Sequence, residues 1–199
     1  MVRICARLSA ASTRHRAVPS PRRARRGSLI SAAVILAIGI GLTALAFWPL
    51  AVRPQALVDS PLVGKAAPAI VGVDLQGRRW TLADGRGRLV WVNFWATSCE
   101  PCRTEMPAMQ RLAEEHPDDL LILGVDWGEG PDAVARFAAD YGIRYPVLLD
   151  PSLENYYRWA TRDGLPRHYF IDGHGKVVRE VIGPLDPAAM VKILDQLLG

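Results

Sequence analysis

Leu89-Val90-Trp91-Val92-Asn93-Phe94-Trp95-Ala96-Thr97-Ser98-Cys99-Glu100-Pro101-Cys102 is the stretch that decides the fold of this 199-residue chain. Its first seven residues are a continuous β-rich apolar run, the pattern of a strand buried on both faces. Helical spacing begins just after Cys99, so the two cysteines fall at a strand-to-helix junction. A helix N-terminus carries unpaired backbone N–H groups and partial positive charge, which stabilise a thiolate placed there. Pro101 is tolerated in a first helical turn, and Cys102, three residues on, returns to the side of Cys99. The two sulfurs can therefore meet, and Cys102 is expected to be the more buried.

Outward from this junction the pattern alternates. Residues 70–73 and 79–82 flank a Gln76-Gly77 turn and predict a short N-terminal hairpin, and 120–125 reads as a second buried strand. Val134, Phe137, Ala138 and Tyr141 recur at helical spacing up to Gly142. A third strand is expected over 145–149, then a short helix marked by Leu153, Tyr156, Tyr157 and Ala160. Residues 169–171 and 177–182 make a hairpin around Asp172-Gly173-His174-Gly175. The last helix has Asp186 as N-cap, Pro187 in its first turn, and Met190, Ile193, Leu194 and Leu197 on one stripe. This order predicts an α/β fold, a mixed central sheet flanked by helices on both faces.

The net charge of +4 is uneven: residues 1–53 hold nine Arg and no acid, whereas 54–199 hold 15 basic and 20 acidic residues. The basic tail runs into 28–48, 21 residues without an ionisable side chain, which is membrane length. That continuity argues for a membrane rather than nucleic acid. Eight Arg precede the apolar run and only Arg53 follows closely, so positive-inside topology keeps 1–27 cytoplasmic and exports the rest. Residues 28–48 are read as a transmembrane anchor, with Phe47-Trp48 at its outer end; Ala44-Leu45-Ala46 also fits a signal-peptide cleavage site. Residues 49–61, with Pro49, Pro54 and Pro61, are a linker and 62–199 the folded domain. Cys5 lies in the tail, leaving the single C-x-x-C as the redox-competent pair.

The chemistry expected is thiol–disulfide exchange: Cys99 attacks a disulfide and Cys102 resolves the mixed disulfide. Glu100 opposes thiolate formation and favours a reductant over a strong oxidant. His168 adds one imidazole to two thiols, too few ligands for a structural zinc site, and neither a metal nor another cofactor is expected.

The run Trp95-Ala96-Thr97-Ser98-Cys99-Glu100-Pro101-Cys102-Arg103-Thr104-Glu105-Met106-Pro107 resembles the TlpA/ResA-like branch of the thioredoxin superfamily. Further matches are Val63-Gly64-Lys65 with Pro68, Pro146-Val147-Leu148-Leu149-Asp150, and Gly164-Leu165-Pro166 before Phe170-Ile171-Asp172. The resemblance, over 60–199, implies a thioredoxin-like fold and a membrane-anchored thiol-disulfide reductase outside the cytoplasm. It implies that Glu105 tunes the cysteines and relays protons, a role its place one turn beyond Cys102 suits. Pro166 aligns with a cis-proline opposite the cysteines, which leaves the Leu165 backbone free for a substrate strand. The implied partners are exported cysteine-containing proteins, apocytochrome c among them, and a membrane thiol transporter as electron donor. Ser98 stands where the family usually has Trp, and Arg167-His168 where it has small hydroxylated residues. An oxidant or isomerase, and a copper-delivery factor using Cys99, Cys102 and His168, are the alternatives.

Overall fold

A run such as Leu89–Trp95, in which Asn93 alone is polar, stays out of water only with a strand on each edge and a layer on each face. In a computed structural model of the chain, which describes Val34, Leu36, Ile38, 60–160 and 163–199, this is what it finds. The elements are β1 Val71–Asp74, β2 Arg79–Thr81, β3 Leu89–Trp95, α1 Glu100–Glu115, β4 Leu120–Asp126, α2 Pro131–Asp140, β5 Val147–Leu149, α3 Glu154–Trp159, β6 Arg167–Ile171, β7 Val177–Ile182 and α4 Pro187–Leu198. A 3-10 turn, Leu82–Gly85, follows β2.

The seven strands lie in the order β2-β1-β5-β4-β3-β6-β7. β3 runs parallel to β4 and antiparallel to β6, and β4 runs parallel to β5, so the sheet is mixed. Alternation then divides the core. Trp91 and Trp95 face Met106 and Met109 of α1, Phe137 of α2 and Met190, Ile193 and Leu194 of α4. Val90, Val92 and Phe94 face the other way, toward Tyr156 and Trp159 of α3 and Ile70. Each fully buried side chain of this size contributes about 1.5–3 kcal/mol.

Two strands start two residues away from the expectation; the other strand bounds agree to within one residue. β5 begins at Val147, not 145: Pro146 has no N–H for a ladder, and the amides of Arg144 and Tyr145 donate to Gln110 Oε1 of α1 (2.7 and 3.1 Å). β6 begins two residues earlier than expected, at Arg167, because Arg167 and His168 are both fully buried with polar partners. Asp186 caps α4 as the sequence indicates, accepting the Ala189 N–H at 2.8 Å.

The chain divides into Met1–Arg53 and Pro54–Gly199. In the first unit Val34, Leu36 and Ile38 are helical and exposed. The tail 1–27, the rest of the 28–48 anchor and the linker up to 59 lie outside the described residues. Among the described residues no helix is long and apolar enough to cross a membrane.

Candidate active site

β3 ends at Trp95, the Cys99 N–H donates to the Ala96 carbonyl at 3.1 Å, and α1 starts at Glu100 with Pro101 in its first turn. Cys99 is thus the capping residue of α1, at the end of the helix whose dipole favours a thiolate. It is half-buried, whereas Cys102 is 0% exposed. Their sulfurs are bonded, with Cα atoms 5.3 Å apart. Glu100 is exposed and lies 3.3 Å from Arg103, which also donates to the Tyr141 hydroxyl at 3.0 Å. Glu100 does not act alone: the neighbouring Arg103 cation reduces its effect on the Cys99 sulfur.

The Leu165–Pro166 bond is cis. Leu165 packs against the same apolar cluster as Cys99 and Cys102. The Pro166 carbonyl accepts the Gly183 N–H at 2.9 Å, while Leu165 makes no backbone hydrogen bond among the described residues.

Glu105 is buried, 3% exposed, and is held from three sides. Its Oε2 accepts the Leu185 N–H at 3.0 Å, and its Oε1 lies 3.5 Å from Asn93 Nδ2 and 3.5 Å from His168 Nε2. Burial pushes the carboxyl up to about 8, with the Leu185 and Asn93 hydrogen bonds opposing. Pro101, Thr104, Pro184, Leu185, Asp186 and Pro187 line with it a cleft of about 390 Å3. His168 is paired with Asn93 across β3 and β6, and burial pushes its imidazole down to about 3, so it is neutral. The Trp91 indole N–H, which can only donate, lies 3.2 Å from His168 Nδ1. Nδ1 is therefore the acceptor and Nε2 carries the hydrogen.

On the other side of the junction, Glu129 accepts both the Thr97 N–H (2.5 Å) and the Thr97 hydroxyl (2.6 Å). Its own N–H donates to Asp126 Oδ2 at 2.7 Å. Asp126, at the end of β4, is fully buried; burial, with the Glu129 charge adding to it, pushes its carboxyl up to about 7. Glu129, on the loop after β4, thus holds the loop that delivers Cys99, and Asp126 at the strand end holds Glu129.

A sequence profile of the AhpC/TSA family matches residues 63–180. The chain belongs to the AhpC/TSA family. Similar members are the "Thiol-disulfide oxidoreductase ResA" of Bacillus thuringiensis, 37% identical over 61% of this chain and 70% of that one. The "Thiol:disulfide interchange protein HelX" of Rhodobacter capsulatus is 34% identical over 73% of this chain and 82% of that one. Among solved structures, a "putative Thiol:disulfide interchange protein DsbE" from Chlorobium tepidum matches at 25% identity and TM-score 0.64, over 71% of this chain and 99% of that one. The fold is thioredoxin-like.

Within this AhpC/TSA chain the structure brings Cys99, Cys102, Glu105 and Leu165 to one apolar cluster and its polar margin. His168 turns inward to Trp91 and Glu105. Trp127 is 40% exposed, with its N–H on the Trp95 carbonyl at 2.9 Å. Sequence reasoning missed Asn93, Asp126 and Glu129. A signal was present: a lone amide within β3, and an acid closing an otherwise apolar strand just ahead of Gly128-Glu129-Gly130.

Proposed function

We propose that this chain is an extracytoplasmic thiol-disulfide oxidoreductase that reduces disulfides of exported proteins through Cys99 and Cys102. The observation that carries the reading is the asymmetry of the pair: Cys99 half-buried at the start of α1, Cys102 fully buried one turn in. A client disulfide has access to the first sulfur, and the second is held in reserve. In the first step the Cys99 thiolate attacks one client sulfur; a mixed disulfide forms and the other client sulfur leaves as a thiolate. Glu105 then takes the Cys102 proton, Cys102 attacks the Cys99 sulfur, and the Cys99–client bond breaks. The client gains two electrons and the cysteine pair loses them. The Glu105 proton passes to the departing client thiolate.

Pro166 and Leu165 are the client-binding residues in this reading, the free Leu165 backbone pairing with an extended client segment. The basic tail and the apolar 28–48 run support a single membrane anchor with the domain outside the cytoplasm. Electrons for the next cycle come from a membrane thiol transporter, and apocytochrome c is a client suggested by the resemblance to ResA-like proteins. The test is twofold. A reduction potential near that of thioredoxin, about −270 mV, fits a reductase, whereas a value of about −120 mV makes the chain an oxidant. Cys102→Ser should trap exported cysteine-containing proteins as mixed disulfides on Cys99; an empty trap refutes the exchange.

A further inference from the structure

We propose that His168 is a positioning residue for Glu105: its Nε2–H, aimed by Trp91, favours the ionised carboxyl beside Cys102 and so governs how readily Glu105 takes up and returns the resolving proton. The inference rests on the exchange reading above for its purpose, but not for its geometry.

The hydrogen-bond inventory around the carboxyl is one-sided. Trp91 Nε1–H reaches His168 Nδ1 at 3.2 Å, and Asn93 Nδ2 lies 3.2 Å from the same nitrogen and 3.5 Å from Glu105 Oε1. An indole N–H only donates, so Nδ1 has no hydrogen, and the neutral ring must carry its hydrogen on Nε2. That nitrogen is buried, without a hydrogen-bonded acceptor, and lies 3.5 Å from Oε1. A buried donor without a partner is costly, and the cost falls when the nearby oxygen gains negative charge. Because His168 is neutral, the contact is an N–H facing a carboxyl and not an ion pair.

Other groups face Glu105 from each packed element. The β7–α4 loop supplies the Leu185 N–H, at 3.0 Å, and β3 supplies Asn93. Tyr145, ahead of β5, stays a neutral phenol, its ionisation pushed up by burial and then by the Glu105 charge. Asp186 lines the cleft with its side chain engaged on the Ala189 N–H. On its own helix, Cys102 is one turn back. The rival acceptor for His168 is the Gly183 carbonyl, which also lies beside the ring. If the ring served only Gly183 its role would be structural.

The experiment compares full-length wild type, His168→Phe, His168→Gln, Glu105→Gln and the His168→Phe/Glu105→Gln double variant. Two readouts are taken: the pH profile of reduction of a small aromatic disulfide, and the titration of the Glu105 carboxyl carbon by NMR in the oxidised protein. His168→Phe should move the Glu105 ionisation upward by about one pH unit, tenfold in proton affinity. His168→Gln, which keeps an N–H at that place, should restore most of the wild-type value. In the Glu105→Gln background, His168→Phe should leave the pH profile unmoved. An unchanged Glu105 titration in His168→Phe overturns the proposal, as does a shift of the rate profile that persists without Glu105. If wild type exchanges no disulfide the functional reading fails, while the NMR titration still decides the His168 role. Should His168→Phe not fold, His168→Leu carries the same expectation.

Discussion

Replacing Glu105 by Gln should make the oxidised protein more stable in alkali and leave it nearly unchanged in mild acid. Burial raises the Glu105 carboxyl from 4.5 to about 8. Between those values the folded protein holds a proton that the unfolded chain has released, so stability falls as pH rises through this window and is level above it. At about 1.4 kcal/mol per unit the full shift corresponds to about 5 kcal/mol. The part of that shift lying between pH 5 and pH 8, about 3 units, corresponds to about 4 kcal/mol. Gln removes the charge and keeps the shape. Urea unfolding of wild type and variant should therefore differ by about 4 kcal/mol more near pH 9 than near pH 5. Taking this difference cancels the fixed effect of the amide against the Leu185 N–H, and the Asp126 and His168 titrations are common to both proteins. A pH-dependent difference below about 1 kcal/mol would refute the claim that an ionisable carboxylate is buried here at a cost.

Glu129→Ala removes both acceptors of Thr97 and should cost about 1.5–3 kcal/mol in urea unfolding, with faster proteolysis of the loop before Cys99. Arg167→Met leaves Glu180, 2.9 Å away in the folded protein, buried without its cation, and should cost about 3–5 kcal/mol; Arg167→Met with Glu180→Leu should recover much of it in thermal melts. Gly124→Ala sets a Cβ 3.2 Å from Trp95 Nε1 and 3.2 Å from a Tyr145 ring carbon, and should lower stability by about 1–3 kcal/mol.

The features legible in the sequence were those carried by short-range pattern. The β3 run, the cysteines at its end, the helix after them and the Asp186 cap all depend on neighbours within one turn or one strand. Glu105 was legible as a place on a helix face, but its burial was not, because Leu185 and His168 reach it from β7–α4 and β6. β6 was cut short for the same reason. Arg167 and His168 look like surface residues until Glu180, 13 positions on, and Trp91, 77 positions back, supply their partners. The Thr97–Glu129 clamp spans 32 residues and has no local signature. Pro146, in contrast, carried its own warning against starting β5 early, since a residue without an N–H cannot open a ladder on that side.

The placing of β3 has a kinetic meaning for the cysteines. All seven of its residues are registered against β4, and five of them against β6 on the other edge. Amides in such a strand exchange with solvent only when the whole domain opens. Disulfide chemistry thus takes place one short turn away from the slowest-exchanging segment of the molecule. In the proposed exchange Cys99 is repeatedly bonded to clients and released while its anchor point keeps still, as a vice holds its jaw.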